Sequence, residues 1–318
     1  MAENTVLSVV VPLYNEEEVI AETYKRLKNV LEDIGEEYEV IMVNDGSRDK
    51  TALLAREICE KDSHFKLLNF SRNFGHQIAI TAGMDYTCGE AIVVIDADLQ
   101  DPPELIKDMM AKWREGYDVV YGKRTKRQGE SVFKKVTAKI FYRVLRMLTE
   151  VDMPADVGDF RLIDRKVKEA LQLVNERNRY IRGIISWLGF KQTSIEFVRD
   201  KRFAGETKYP LKKMIKFASD AVISFSNKPL KIASFLGILI SFFSFIYLIV
   251  VIVQKIIGFT VEGWASILAV NLFFNGVILV ILGIIGEYIG RIYDEAKGRP
   301  LYIVASSENI DSNDLTKR

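Results

Sequence analysis

The chain has 318 residues, with 44 basic and 43 acidic side chains and a formal net charge of +1. So even a balance argues against a nucleic-acid binder, which carries a surplus of positive charge. Two cysteines (Cys59, Cys88) and two histidines (His64, His76) lack the number and spacing for a structural zinc site or a disulfide framework.

The N-terminal stretch "MAENTVLSVVVPLYNEEE" has no basic segment before its short apolar run, so it reads as a strand and not as a signal peptide. Apolar, β-branched runs then recur: "VLSVVVPLY" (6–14), "YEVIMVND" (38–45), "FKLLNF" (65–70), "AIVVID" (91–96) and "YDVVYG" (117–122). Helical patterns separate them over 17–34, 51–61 and 75–87. Continuous apolar strands alternating with helices predict an α/β fold with a Rossmann-like, mainly parallel sheet covered on both faces. Ligands bind such sheets at the carboxyl ends of the strands. The polar clusters fall there: "YNEEE", "NDGSRD", "SRNFG", "DADLQD" and "GKRTKR" follow the five strands in turn. Neither a Gly-x-Gly-x-x-Gly after a strand nor a Gly-x-x-x-x-Gly-Lys-Ser/Thr occurs, so a bound nucleotide needs its phosphates neutralised in another way.

The cluster "DADLQDPPE" follows the fourth strand. On an extended backbone Asp96 and Asp98 point the same way, and Gln100 adds an amide oxygen on that side. Two adjacent carboxylates repel each other unless a cation lies between them, and an oxygen-only set selects Mg²⁺ or Mn²⁺. The competing reading is an acidic turn with Asp101 as N-cap of the helix after Pro102 and Pro103. That reading leaves Asp96 unexplained. Asp45, before Gly46 and Ser47, reads equally as a nucleoside-binding carboxylate or as a turn residue.

Further along, "SVFKKVTAKIFYRVLRML" (131–148) sets Phe133, Val136, Ile140 and Val144 beside Lys134, Lys135, Lys139, Arg143 and Arg146. It reads either as a basic helix at an anionic headgroup layer or as an ordinary surface helix. "YPLKKMIKFASDAVISF" (209–225) has the same character and lies beside a long apolar run, which favours the membrane interface. From Ile232 to Val253 no residue is charged, and a second apolar run spans about Trp264 to Ile285. Each has roughly the 20 residues needed to cross a bilayer. Lysines and arginines crowd the outer flanks (Lys208, Lys212, Lys213, Lys216, Lys228, Lys231; Arg291, Lys297, Arg299), so both termini are expected in the cytosol. The expected division is a catalytic domain over 1–205, a juxtamembrane helix over 206–230, a two-helix hairpin over 231–290 and a cytosolic tail over 291–318.

Seven stretches in this order ("SVVVPLYNEEE", "VNDGSRDKT", "SRNFGHQIAITAGMD", "DADLQDPPE", "ADVGDFRLIDRKV", "RGIISWLGF", "RFAGETKYPLKK") resemble glycosyltransferase family 2 over nearly the whole chain. Within it the chain is similar to bacterial polyisoprenyl-phosphate glycosyltransferases and to dolichol-phosphate mannose synthase. The resemblance implies a GT-A fold. Pro12, Tyr14, Glu16 and Asp45 would hold the nucleoside, and Asp96, Asp98 and Gln100 the metal on the diphosphate. Arg124, Arg202 and Lys208 would be cationic partners for phosphates. Asp159 occupies the region of a catalytic base, with Asp156 as a competing assignment. It also implies a hexose donor, leaning to UDP-glucose, with GDP-mannose or an aminoarabinose donor as alternatives. The acceptor would be undecaprenyl phosphate, approached through Lys134, Lys135, Lys139 and Arg143 at a bacterial cytoplasmic membrane. A homo-oligomer, such as a tetramer, is implied as well. Two rivals stand beside this reading. A processive polysaccharide synthase would show Gln-x-x-Arg-Trp and more spans, and a catalytically silent membrane adaptor would not need Asp96, Asp98 and Gln100 intact.

Overall fold

The computed structural model describes residues 5–124, 157–198, 228–258 and 263–310. Asp156, Arg202, Lys208 and the expected helices over 131–148 and 209–225, with Lys134, Lys135, Lys139 and Arg143, lie outside the described residues. The described residues fall into two compact units. One holds everything before the apolar helices together with the segment from Arg299, and the other holds the two long helices.

The first unit runs β1 (Leu7–Leu13), α1 (Ile20–Ile34), β2 (Tyr38–Asn44), α2 (Thr51–Lys61), β3 (Phe65–Phe70), α3 (His76–Asp85), β4 (Ala91–Val94), α4 (Leu105–Arg114) and β5 (Val119–Arg124). It continues with β6 (Val157–Asp164), α5 (Arg165–Gln172), α6 (Ile181–Trp187), β7 (Gln192–Phe197) and β8 (Val304–Glu308). The eight strands form one sheet in the order β7-β5-β6-β4-β1-β2-β3-β8. β1 to β4 are mutually parallel, and β5 and β7 run with them. Only β6 and β8 are opposed. The mixed, mainly parallel sheet expected from the apolar runs is therefore present.

Continuous apolar strands need cover on both faces, and they have it. α1 buries Ile20, Thr23, Leu27 and Leu31, a helical repeat that lays one stripe on the sheet, and it stops at Gly35 in the left-handed conformation. Leu27 and Leu31 join Val9, Val11, Val40 and Ile106 in the larger core cluster. Full burial of each such leucine contributes about 2 kcal/mol. On the opposite face Ala79 and Ala82 of α3 pack against Ile41, Val43, Leu68 and Phe70.

Five elements went unread in the sequence: β6, α5, α6, β7 and β8. β6 inserts antiparallel between β4 and β5, with Val94 opposite Arg161. The segment expected to be a tail supplies β8, which pairs with β3 and covers that edge of the sheet.

The second unit contains α7 (Lys228–Ile256) and α8 (Trp264–Ala296). Both are long and apolar enough to cross a membrane, over Leu230–Gln254 and Phe273–Ala296, and among the described residues of these spans only Ala233 is buried. Phe242, Phe245, Leu279 and Leu282 are all exposed. Two buried core helices, the alternative reading of these runs, would hide such side chains.

Candidate active site

The site is built at the carboxyl edge of the sheet. Because β6 is antiparallel, its first residues lie at the edge where its neighbours end. Continuing the Val94–Arg161 register by two residues brings Asp159 beside Asp96. An antiparallel insertion thus sets two carboxylates side by side from stretches of sequence far apart.

Asp159 is buried and fully engaged. Arg182, from the first turn of α6, donates Nε to Oδ1 at 2.7 Å and Nη2 to Oδ2 at 2.8 Å. His76 Nε2 and Gln77 Nε2, from the start of α3, reach Oδ2 at 3.2 Å each. Gln77 Oε1 accepts from the backbone N–H of Ile181, so one side chain ties α3, β6 and α6 together. Burial pushes the Asp159 carboxyl up, but the Arg182 charge, its two hydrogen bonds and His76 outweigh it and hold the group well below the usual carboxylate range. For His76, burial pushes down, while the bond to Asp159 and the charge of Asp96 lift the imidazole to about 9. That shift favours the imidazolium at neutral pH, and nearly half of the side-chain surface is accessible.

Asp96 is in a different state. Its Oδ1 is buried and has no hydrogen-bond partner among the described residues. His76 Nε2 is 3.5 Å away, too far for a good bond. Burial pushes this carboxyl up, His76 pulls it down, and Asp159, Asp101 and Asp98 push it up again, to about 6. The site thus has one saturated carboxylate and one whose Oδ1 accepts no hydrogen bond from any described residue.

The backbone after β4 differs from the extended path expected. The strand ends at Val94, and the chain turns over 97–99. Leu99 is buried in the left-handed region (φ 57), a conformation that costs a non-glycine residue about 1 kcal/mol. Asp98 Oδ1 accepts from the Gln100 N–H at 3.1 Å, closing this turn. Alternation therefore does not align Asp98 and Gln100 with Asp96. Asp101 is fully buried and receives Arg124 Nη2 at 3.2 Å, while Glu104 stands at the N-cap position of α4. Arg124, expected to meet phosphates, is turned onto Asp101, and it packs where a Cβ on Gly158 would lie 2.7 Å from its Nη2.

The nucleoside candidates cluster on the β1–β2 side. Pro12 is buried in β1, Tyr14 is exposed, and Glu16 is half-buried in the loop that follows. That loop is laced to the one after β2. Asn15 N–H donates to Ser47 Oγ, Arg48 N–H to Asn15 Oδ1, Glu16 N–H to Thr51 Oγ1 and Lys50 N–H to Glu17 Oε2. Asp45 is buried, and its carboxylate accepts from the backbone of Phe74 at 2.6 Å and of Gly75 at 3.0 Å. It organises the loop that delivers His76, a role not read from the sequence, while Asn44 Oδ1 takes the Ser47 N–H of the turn that follows. Gly46 (φ +66) lies so close to that loop that a Cβ would stand 2.5 Å from Arg72 C and Asn73 N.

The structure thus gathers Asp96, Asp98, Asp101, Asp159 and Arg124 into one cluster, with Asp45 reaching it through His76. His76, Gln77 and Arg182 were not singled out from the sequence, although all three lie in stretches that carried the resemblance. Arg161 also went unread. It is buried one strand repeat below Asp159, with Nη2 on the Gly158 carbonyl, Nε without a partner among the described residues, and its pKa pushed down by burial to about 10.

The family model for glycosyl transferase family 2 matches residues 8–171, and this chain belongs to that family. It is a glycosyltransferase with a GT-A-type sheet. It is 57% identical over 316 residues, covering 99% of this chain and 98% of the relative, to an uncharacterized glycosyltransferase, YkcC, of Bacillus subtilis. It is 40% identical over 301 residues, covering 94% of this chain and 99% of the relative, to the bactoprenol glucosyl transferase of Shigella phage SfX. Among solved structures it resembles mannosyl-3-phosphoglycerate synthase of Rubrobacter xylanophilus, with a TM-score of 0.47, 15% identity, and coverage of 69% of this chain and 72% of that one.

Proposed function

We propose that this glycosyltransferase moves a hexose from a nucleotide sugar, glucose from UDP-glucose, to a polyprenyl phosphate at the cytoplasmic face of a bacterial membrane. The observation that carries this reading is the full-length match to the phage bactoprenol glucosyl transferase, which leaves too few residues outside it to omit either apolar helix. A donor soluble in the cytosol must meet an acceptor whose tail stays in the bilayer. A catalytic unit carried on a chain with two bilayer-length helices suits that task.

Among the described residues no three His, Cys, Asp or Glu side chains form a ready-made metal site, but one feature supports a hard divalent cation. Asp96 Oδ1 is an orphaned buried oxygen facing other carboxylates, which is what such an ion satisfies. Asp96 and Asp98, with Gln100, would hold Mg²⁺ or Mn²⁺. Bound there, the ion supplies neutralising charge for a leaving nucleoside diphosphate. Asp159 has a different task. An acceptor phosphate is already ionised at pH 7 and needs little general-base help, unlike a sugar hydroxyl. A carboxylate saturated by Arg182, His76 and Gln77 is a poor base and a good anchor. We assign Asp159 the role of fixing these two cations at the crevice, where they meet phosphate or sugar oxygens.

The test is a screen of nucleotide sugars with the purified full chain, undecaprenyl phosphate, and Mg²⁺, Mn²⁺ or EDTA, read out by lipid mass. UDP-glucose should give a hexosyl lipid that EDTA abolishes. Product only from GDP-mannose or an aminoarabinose donor would change the sugar, and no transfer from any donor would return the silent adaptor. Asp159→Asn tests the anchoring role, since abolished turnover with unchanged donor and acceptor binding would sink it.

A further inference from the structure

The segment after α8 does more than cover a sheet edge. Two lines of contact run from it, one to the 71–76 loop that Asp45 holds and one to the loop of Tyr14 and Glu16. The first is aromatic. Tyr302 stacks on Phe70 (centroids 5.3 Å apart), and Phe70 meets Phe74 edge-on at 5.5 Å. Phe74 N–H donates to Asp45, and Arg72 lies over the Phe74 ring at 4.1 Å. Ser71 N–H, at the start of the same loop, donates to the Ile303 carbonyl at 3.0 Å. The second line is polar and crosses four strands at their ends. Asn69 Nδ2 donates to Ser306 Oγ at 3.1 Å, and Asn44 Nδ2 donates to Asn69 Oδ1 at 3.0 Å. Ser47 N–H donates to Asn44 Oδ1, and Asn15 N–H donates to Ser47 Oγ. The chain of bonds therefore starts on β8 and ends in the loop of Tyr14 and Glu16.

The segment is itself firmly held. Tyr302 OH donates to Asp85 Oδ2 at 3.0 Å, at the far end of the helix that begins with His76. Asn309 Nδ2 donates to the carbonyls of Cys59 and Phe65 at 2.8 Å each. Arg56 pairs with Glu308 at 2.9 Å, and Arg177 donates to the Arg299 carbonyl. Ordering a loop before a ligand arrives raises apparent affinity, because only the competent fraction of the protein binds.

We propose that residues 299–310 are a structural part of the donor subsite, with Tyr302 and Ser306 as positioning residues for the loops at 14–17, 45–49 and 71–76. The inference rests on the reading that Tyr14, Glu16 and Asp45 hold the nucleoside, with the 71–76 loop joined to them through Asp45. It places the donor site's shape under the control of a strand that reaches the sheet only after the chain has passed through both apolar helices.

The experiment compares full-length wild type with Tyr302→Ala, Ser306→Ala and the pair combined, in lipid nanodiscs. Tyr302→Phe keeps the ring and loses only the hydroxyl. Hydrogen–deuterium exchange should show faster exchange at 44–49 and 71–76 in Tyr302→Ala, with β1 unchanged. In transfer assays the donor KM should rise on the order of tenfold, as expected if the competent fraction falls to roughly a tenth. The acceptor KM and kcat should stay near wild type, and Tyr302→Phe should recover most of the donor affinity. Unchanged exchange and an unchanged donor KM overturn the proposal. So does a fall in kcat with both KM values unaltered, which signals only a smaller folded fraction. If the wild type transfers no sugar at all, the proposed function fails on its own. The exchange data then still decide the strand's role, faster exchange supporting it and unchanged exchange overturning it.

Discussion

Replacing Arg182 with Gln puts the electrostatic account of the site under direct strain. The guanidinium supplies two short, charge-assisted bonds to Asp159, which is only 6% exposed. Removing one partner of a buried pair costs about 3–5 kcal/mol, and because Arg182 is itself partly exposed the lower figure applies. If about 3 kcal/mol of that is expressed at the transition state, turnover falls by roughly 10²-fold. The pH dependence carries more information. Asp159 has a folded-state pKa below its unfolded value, so its contribution is full at neutral pH and is lost as pH falls through the folded pKa. Without Arg182, burial remains and its largest opponent is gone, so that pKa rises. The acid limb of kcat should shift toward neutral pH in Arg182→Gln. In a double-mutant cycle with Asp159→Asn, the two losses should overlap by about 2 kcal/mol or more. The assay is labelled sugar transfer into lipid between pH 5 and 9. An acid limb identical to wild type, or strictly additive losses, would refute the reasoning.

Gly46→Ala should cost about 1–3 kcal/mol, because the residue has φ +66 and its new Cβ would lie 2.5 Å from the backbone of Arg72 and Asn73. A Tm within error of wild type would count against that packing. Asp62 offers a pH test far from the site. Burial pushes its carboxyl up, but Lys28 at 2.7 Å and His64 bring it to about 2. Its stabilisation is therefore complete above about pH 4 and lost as pH falls toward 2, so Asp62→Asn should cost about 2 kcal/mol at neutral pH and close to nothing at the acid end, by denaturant titration. Charge reversal at Lys134, Lys135 and Lys139 should raise the KM for lipid acceptor more than for nucleotide sugar. Equal changes would speak against a headgroup role.

What the sequence revealed and what it hid follow from the range of the interactions. β1 to β5 were legible because a strand buried on both faces must be continuously apolar, and "SVVVPL" or "AIVV" has no other comfortable home. α7 and α8 were legible for a similar reason, since bilayer length and lack of charge are local properties. β6 was hidden because "VGDFRLID" mixes charge with apolar residues. It faces the site at one end and the core along the rest, so it lacks a clean period. β8, with "VASSE", is an edge strand that only the partner strand β3 explains. Within the site, Asp96 and Asp159 stood out singly, but their adjacency depends on an antiparallel register that no local pattern encodes. His76, Gln77 and Arg182 acquire meaning only once Asp159 is seen between them. The expectation of aligned Asp98 and Gln100 failed because it assumed an extended backbone, whereas Leu99 adopts a left-handed turn.

The central claim is sugar transfer to a lipid phosphate at the crevice between Asp96 and Asp159. Its most direct test gives the full-length protein UDP-glucose, undecaprenyl phosphate and Mn²⁺, and resolves the lipid product by mass and by the configuration of its anomeric carbon. The account predicts a single hexose added to the phosphate, formed by wild type and lost in Asp96→Asn, and inverted because the phosphate attacks the anomeric carbon directly as the nucleoside diphosphate leaves. Product formed equally well by Asp96→Asn, retention of configuration, or release of free glucose with the lipid untouched would contradict it.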